Sequence, residues 1–196
     1  MAKEPDNEIL KRSDTHGIAE LTLNRPEARN ALSTALMDRL QTELDRIRDD
    51  KNVHVVVIAA NGPSFCSGHD LRELRAMPTQ KTHKRLFAQC SRLMLSITRL
   101  PQPVIAKVHA TATAAGCQLV ASCDLAVAAD TAEFATPGVN IGLFCSTPMV
   151  AVSRNIGRKK TMEMLLTGTS VTAKTAETIG LINTVCAKLE LDNVVN

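Results

Sequence analysis

The run Val53-His54-Val55-Val56-Val57-Ile58-Ala59-Ala60 constrains this chain more than any other segment. Its β-branched residues do not alternate with polar ones, and a strand apolar on both faces belongs inside a parallel sheet covered on both sides. Two more short strands follow at residues 104–108 and 125–129, and residues 17–23 alternate as a strand that ends at Asn24-Arg25-Pro26. Helical spacing fills the intervals. Ser33 as N-cap, with Ala35, Leu36, Leu40, Leu44 and Ile47 behind it, predicts a helix to about residue 48. A turn-rich loop enters a helix that runs through about residue 76. Leu86, Phe87, Cys90, Leu93, Met94 and Ile97 predict one apolar stripe on a helix over 81–100, closed by Pro101 and Pro103. Helical patterns over 117–123, 147–166 and 173–179 complete the set, with an irregular crossing at 134–140. Strands alternating with helices predict an α/β domain. No Ser/Gly-rich linker divides residues 1–196, so a single domain with its core at about 10–185 is expected.

Composition removes several function classes. Four Phe with no Tyr or Trp, and a net charge of +3 without a basic block, leave little for stacking or phosphate tracking, so no nucleic-acid partner is expected. No segment approaches the roughly 18 uninterrupted apolar residues of a membrane span. The opening MAKEPDNEILKRSD has no apolar core of a signal peptide and reads as cytoplasmic, with the mitochondrial matrix as the alternative if a transit peptide has been removed. Cys66, Cys90, Cys117, Cys123, Cys145 and Cys186 are widely spaced, without a C-x-x-C pair or a nearby His, which predicts buried free thiols rather than a zinc site or disulfides. His16, His54, His83 and His109 show no metal-ligand spacing, and no metal is expected.

Two strand-to-helix junctions are built from small residues, around Gly68 and around Gly116. The first N–H groups of a helix lack partners within it and carry the positive end of its dipole, so two such junctions aimed at one spot would hold an oxyanion.

Four segments carry a resemblance: Asn24-Arg25-Pro26 with Asn30-Ala31-Leu32; Phe65-Cys66-Ser67-Gly68-His69-Asp70-Leu71; Ala114-Ala115-Gly116-Cys117-Gln118-Leu119 leading to Cys123-Asp124; and Phe134-Ala135-Thr136-Pro137. In order and spacing they resemble the crotonase (enoyl-CoA hydratase/isomerase) superfamily, and the third and fourth look most like its enoyl-CoA hydratase domain-containing protein 3 group. The resemblance implies a spiral of ββα units that binds an acyl-CoA thioester, with no cofactor beyond the coenzyme A of the substrate. By position, the two amides that hold the thioester oxygen fall on His69 and Ala115, and the CoA contacts on Ser67, His69, Asp70, Leu71 and Arg72, with Arg29 compensating for Glu27, where a basic residue is common.

Two departures bear on the reaction. Hydratases of the family resemble one another in using two glutamates, whose positions here are Gln118 and Gly138, so hydration is not expected. Decarboxylation or hydrolysis of a thioester needs the oxyanion site without that pair, and His69 resembles the decarboxylases in its place after Gly68. Gln118 and Asn140 are candidates to orient a water or a carboxylate, Cys145, Ser146 and Thr147 could face the acyl group, and Asp124 is expected to brace a strand start. The alternative is an inactive acyl-CoA-binding homologue. The C-terminal helical region of the family is short or absent by residue 196, and self-association as a trimer or hexamer is expected.

Overall fold

The computed structural model describes residues 9–76 and 78–195, so the reading of the first eight residues lies outside them. In chain order the elements are β1 (Leu10–Thr15), β2 (Ile18–Leu23), α1 (Thr34–Arg48), β3 (Val55–Ala60), α2 (Leu71–Ala76), α3 (Gln80–Thr98), β4 (Val104–Val108), β5 (Ala112–Thr113), α4 (Ala115–Ser122), β6 (Leu125–Ala129), β7 (Glu133–Ala135), α5 (Ser146–Asn155), α6 (Arg158–Thr167), β8 (Val171–Thr172), α7 (Ala173–Thr178), β9 (Thr184–Cys186) and α8 (Leu191–Val195). Short 3-10 turns at Pro26–Ala28, Pro137–Ile141 and Lys188–Glu190 join them.

A six-stranded sheet has the order β1-β2-β3-β4-β6-β9, parallel from β2 onward, and a smaller sheet has the order β5-β7-β8. Val56, Val57 and Ile58 of β3 are buried between β2 and β4, as a non-alternating strand requires. Each turn of the chain lays one strand in the large sheet, makes one short pairing beside it, and returns through helix. Isolated parallel pairings Leu32↔His69 and Cys66↔Ala112 extend the small sheet across the turns. The result is a repeated ββα spiral whose strand-to-helix junctions stack on one another.

Local chemistry explains most boundaries. Ser33 Oγ accepts from Leu36 N at 3.1 Å and starts α1, which buries Leu36, Met37, Leu40, Leu44 and Ile47. Thr79 caps α3 in the same way. Asp124 Oδ2 accepts from Val104 N at 2.8 Å, bracing the start of β4. The helix predicted over 147–166 is two helices, because the chain becomes extended at Ile156 and Gly157, burying the Ile156 side chain and setting Gly157 as the cap of α6. All six cysteines are free; Cys66, Cys90, Cys117 and Cys145 are buried, and Cys123 and Cys186 are half-buried.

Candidate functional site

The first junction is held from outside by the Asn24-Arg25-Pro26 region. Asn30, fully buried, accepts from Arg25 N at 2.8 Å and donates to the carbonyls of Asn61 and Ser64 at 2.7 and 2.8 Å. It ties the loop after β2 to the loop after β3. Arg25 reaches Ala31 O at 2.7 Å and Asp70 Oδ2 at 3.2 Å, while Asp70 Oδ1 accepts from Arg72 N at 3.0 Å. The Asp70 carboxylate is therefore engaged in fixing the entry to α2.

Leu32 N donates to Gly68 O at 2.7 Å and Asp70 N donates to Leu32 O at 3.2 Å. In a parallel pairing the intervening amide points the other way, so His69 N–H faces away from Leu32. No protein group among the described residues accepts from it. The amide of Ala115, first residue of α4, is likewise without an acceptor. The two junctions press together: a Cβ on Gly68 would lie 3.2 Å from Ala115 N, and one on Gly116 would lie 2.1 Å from Cys66 O. Ala114 turns between them at φ 51°, ψ −119°, a region costly for a residue with a Cβ, held by its N–H to Ala135 O at 2.9 Å.

A cleft of about 360 Å³ opens at this meeting point, and Ser67, His69, Leu71, Ala115, Asn140 and Cys145 all border it. No Asp or Glu does. The His69 ring meets Phe87 edge-on at 5.3 Å, neither ring nitrogen has a partner in good hydrogen-bond geometry, and burial, opposed by a weaker approach to the Leu32 backbone, pushes its pKa down to about 4. The imidazole is neutral at pH 7. Cys145 is a protonated thiol, pushed up by burial. Among the described residues it makes no hydrogen bond with His69, and no group of three or more His, Cys, Asp or Glu gathers to hold a metal.

The His69 shift gives a stability prediction. Between 6.5 and about 4 the unfolded chain takes up a proton that the folded ring refuses, so stability is fully present above 6.5 and falls as pH drops through this window, by up to about 3 kcal/mol. Urea unfolding near pH 7 and near pH 4.5 should show a smaller acid loss in His69→Phe than in the native protein; equal losses in both would remove His69 as the cause.

Residues 13–195 match the sequence pattern of the family described as enoyl-CoA hydratase/isomerase.

The chain belongs to that family.

It is 49% identical over 177 residues to enoyl-CoA hydratase domain-containing protein 3, mitochondrial, of Danio rerio, covering 90% of this chain and 61% of that protein. The human protein of that name is 49% identical over 175 residues, covering 89% and 58%. The chain thus spans about three-fifths of these curated relatives' length. A crystal structure of an enoyl-CoA hydratase from Mycobacterium smegmatis superposes with a TM-score of 0.94 at 53% identity, covering 98% of this chain and 74% of that one. The spiral of ββα units is the crotonase fold.

The two positions to which the resemblance assigns glutamates, 118 and 138, differ in their surroundings. Gln118 is buried on α4 and does not border the His69 cleft; it faces a neighbouring cleft between α3, α4 and α5. Gly138 does border the His69 cleft, but a Cβ there would lie 2.7 Å from Leu143 O and 2.8 Å from Cys145 Sγ. Asn140 reaches the cleft wall with its carboxamide laid over Gly168. Ser67 N donates to Arg29 O at 3.1 Å, and the Arg29 and Arg72 side chains are exposed on either side of that loop.

Phe87 corrects the predicted stripe of α3: Leu86, Cys90, Leu93, Met94 and Ile97 are buried, whereas Phe87 is 39% exposed against His69. Leu143 and Phe144, 56% and 42% exposed, line the cleft and were not singled out from sequence. Two large apolar residues in succession between Gly142 and Cys145, in a loop, are the signal that marks them. Among the described residues no helix is long and apolar enough to cross a membrane.

Proposed function

We propose that this protein binds an acyl-CoA thioester with its carbonyl oxygen between the amides of His69 and Ala115. We further propose that it acts by stabilising the oxyanion or enolate that forms there, in decarboxylation or hydrolysis rather than hydration. The observation that carries the reading is the pairing of two acceptor-free amides at one cleft with the absence of any carboxylate on its described walls. Negative charge developing on a thioester oxygen meets fixed donors that need no reorganisation, an effect worth roughly 3 kcal/mol per donor. Loss of carbon dioxide from a 2-carboxyacyl thioester breaks the bond to the carboxylate and leaves its electron pair in the enolate, so no general base is required. A neutral imidazole and a protonated thiol among apolar side chains suit that step, because they leave the departing carboxylate poorly solvated. In hydrolysis, the unpartnered nitrogens of His69 and the Asn140 carboxamide are the groups available to hold a water.

Arg29 and Arg72, both exposed, are assigned to the phosphates of the coenzyme, and the backbone of Ser67 to Leu71 to its adenine end. The mitochondrial location carried in the relatives' names is proposed for this protein, as is a trimeric or hexameric assembly.

The test is calorimetric titration with acetyl-CoA and methylmalonyl-CoA, followed by mass spectrometry of the same mixtures. Binding with loss of carbon dioxide, or with release of free CoA, is expected. Tight binding with intact thioesters would favour a carrier that keeps the pocket without the reaction, and absence of binding by both would overturn the thioester reading.

A further inference from the structure

The cleft that Gln118 faces has a volume of about 250 Å³, and Thr147, at the start of α5, borders both it and the His69 cleft. Its walls are mostly apolar: Met94 and Leu95 from α3, Ala121 from α4, Val150 and Ala151 from α5. Leu95 and Val150 are 42% and 48% exposed along it. Besides the hydroxyls of Ser91, Thr98, Ser122 and Thr147, Gln118 and Arg154 interrupt this lining. Gln118 is 5% exposed, with an Oε1 that has no hydrogen-bond partner. Arg154 lies at the other end, in the last turn of α5, and makes no ion pair among the described residues.

The two helices run along the cleft side by side. Both begin at the first cleft, α4 with Ala115 and α5 with Ser146 and Thr147, and both reach the far end of the second, α4 with Ser122 and α5 with Arg154. Asn155 Nδ2 donates to Ala121 O at 2.9 Å, joining their C-terminal ends. At about 1.5 Å per residue, the path from the Ala115 amide to the level of Ser122 is about 10 Å long. Long helical side chains lean toward the N-terminus, a direction that from Arg154 leads toward Val150, with which it borders the cleft.

We propose that this second cleft takes the tail of the acyl group and that Arg154 receives a carboxylate at its far end, making thioesters of medium-chain dicarboxylic acids the preferred ligands. The inference rests on the reading of the His69 cleft as a thioester site. It concerns the end of the acyl group remote from the reaction, which both decarboxylation and hydrolysis leave untouched. Methylenes fit the apolar walls. A terminal carboxylate supplies the planar partner that a guanidinium fork matches with two hydrogen bonds, whereas a terminal methyl leaves the cation without a counter-charge.

Suberyl-CoA and octanoyl-CoA have acyl chains of equal length and differ in the terminal group, so calorimetric titration of the pair isolates this contact. The native protein is expected to bind suberyl-CoA at least about tenfold more tightly, the scale of one charge-assisted hydrogen bond. Arg154→Gln should remove the difference and Arg154→Glu should reverse it; Arg154 is exposed, so neither variant disturbs the core. Equal affinities in the native protein, or a preference that survives in Arg154→Gln, would overturn the inference while leaving the thioester reading standing. Failure of both ligands, and of acetyl-CoA, to bind would overturn that reading and the inference with it.

Discussion

Gly116→Ala is expected to lower stability by about 3 kcal/mol or more and to abolish acetyl-CoA binding. The added Cβ would stand 2.1 Å from Cys66 O, 2.7 Å from Cys66 C and 2.8 Å from Cys66 Cβ. Two of these are backbone atoms, and a rotamer change does not move them. Cys66 O is also the acceptor of Thr113 N at 2.9 Å, and Cys66 pairs with Ala112, so it cannot retreat without unzipping the contact between the second and third turns of the spiral. That contact sets the distance between the His69 and Ala115 amides. Gly157→Ala is the control, since a Cβ there meets nothing within 4 Å and its φ of −61° suits any residue. Urea midpoints and acetyl-CoA titrations of both variants check the prediction. A midpoint for Gly116→Ala equal to that of Gly157→Ala would mean that the two junctions are not held by this approach, and the oxyanion reading would lose its geometric basis.

The same contact shows how far sequence carries. The smallness of residues around Gly68 and Gly116 is visible in the sequence and points to close backbone approach, yet what approaches what depends on pairings between residues 46 apart, such as Cys66 with Ala112. Nothing local encodes the partner. The strand at Val55–Ala60 was legible because a run without alternation has one good environment, and α1 because Ser33 and a 3.6-residue period agree. The break at Ile156 and Gly157 was not, because a helical period over ten residues looks alike whether one helix continues or two meet. Phe87 belongs to the apolar stripe by spacing and to the cleft by position, since Leu86 and Cys90 beside it turn into the core while His69 supplies its partner. Gln118 was singled out by the resemblance, but its place in a second cleft was not legible, because that cleft forms where α5 packs alongside α4. The positive φ of Ala114 has no sequence signal, because alanine does not ordinarily adopt it.

Introducing glutamates by Gln118→Glu and Gly138→Glu is expected to leave crotonyl-CoA hydration at the background level also expected of the native protein, and to cost about 2 kcal/mol or more of stability. At Gln118 a carboxylate would be buried without a cationic partner among the groups bonded there, so its pKa would rise and it would sit protonated. At Gly138 the obstacle is space. Leu143 N donates to Gly138 O at 2.9 Å, which curls the loop so that Leu143 O lies 2.7 Å from the would-be Cβ, and Cys145 Sγ fills the other side at 2.8 Å. Adding Cys145→Ala removes one of these two contacts and leaves the carbonyl, so the triple variant should also fail to hydrate crotonyl-CoA in a direct absorbance assay, while still binding it. Robust hydration by the double variant would show that the 138–145 loop repacks readily, and that the cleft's lack of carboxylates is a matter of two side chains alone. Failure of the triple variant would place the obstacle in the backbone of that loop, where Leu143 O lies 2.7 Å from the position a Cβ at 138 would take.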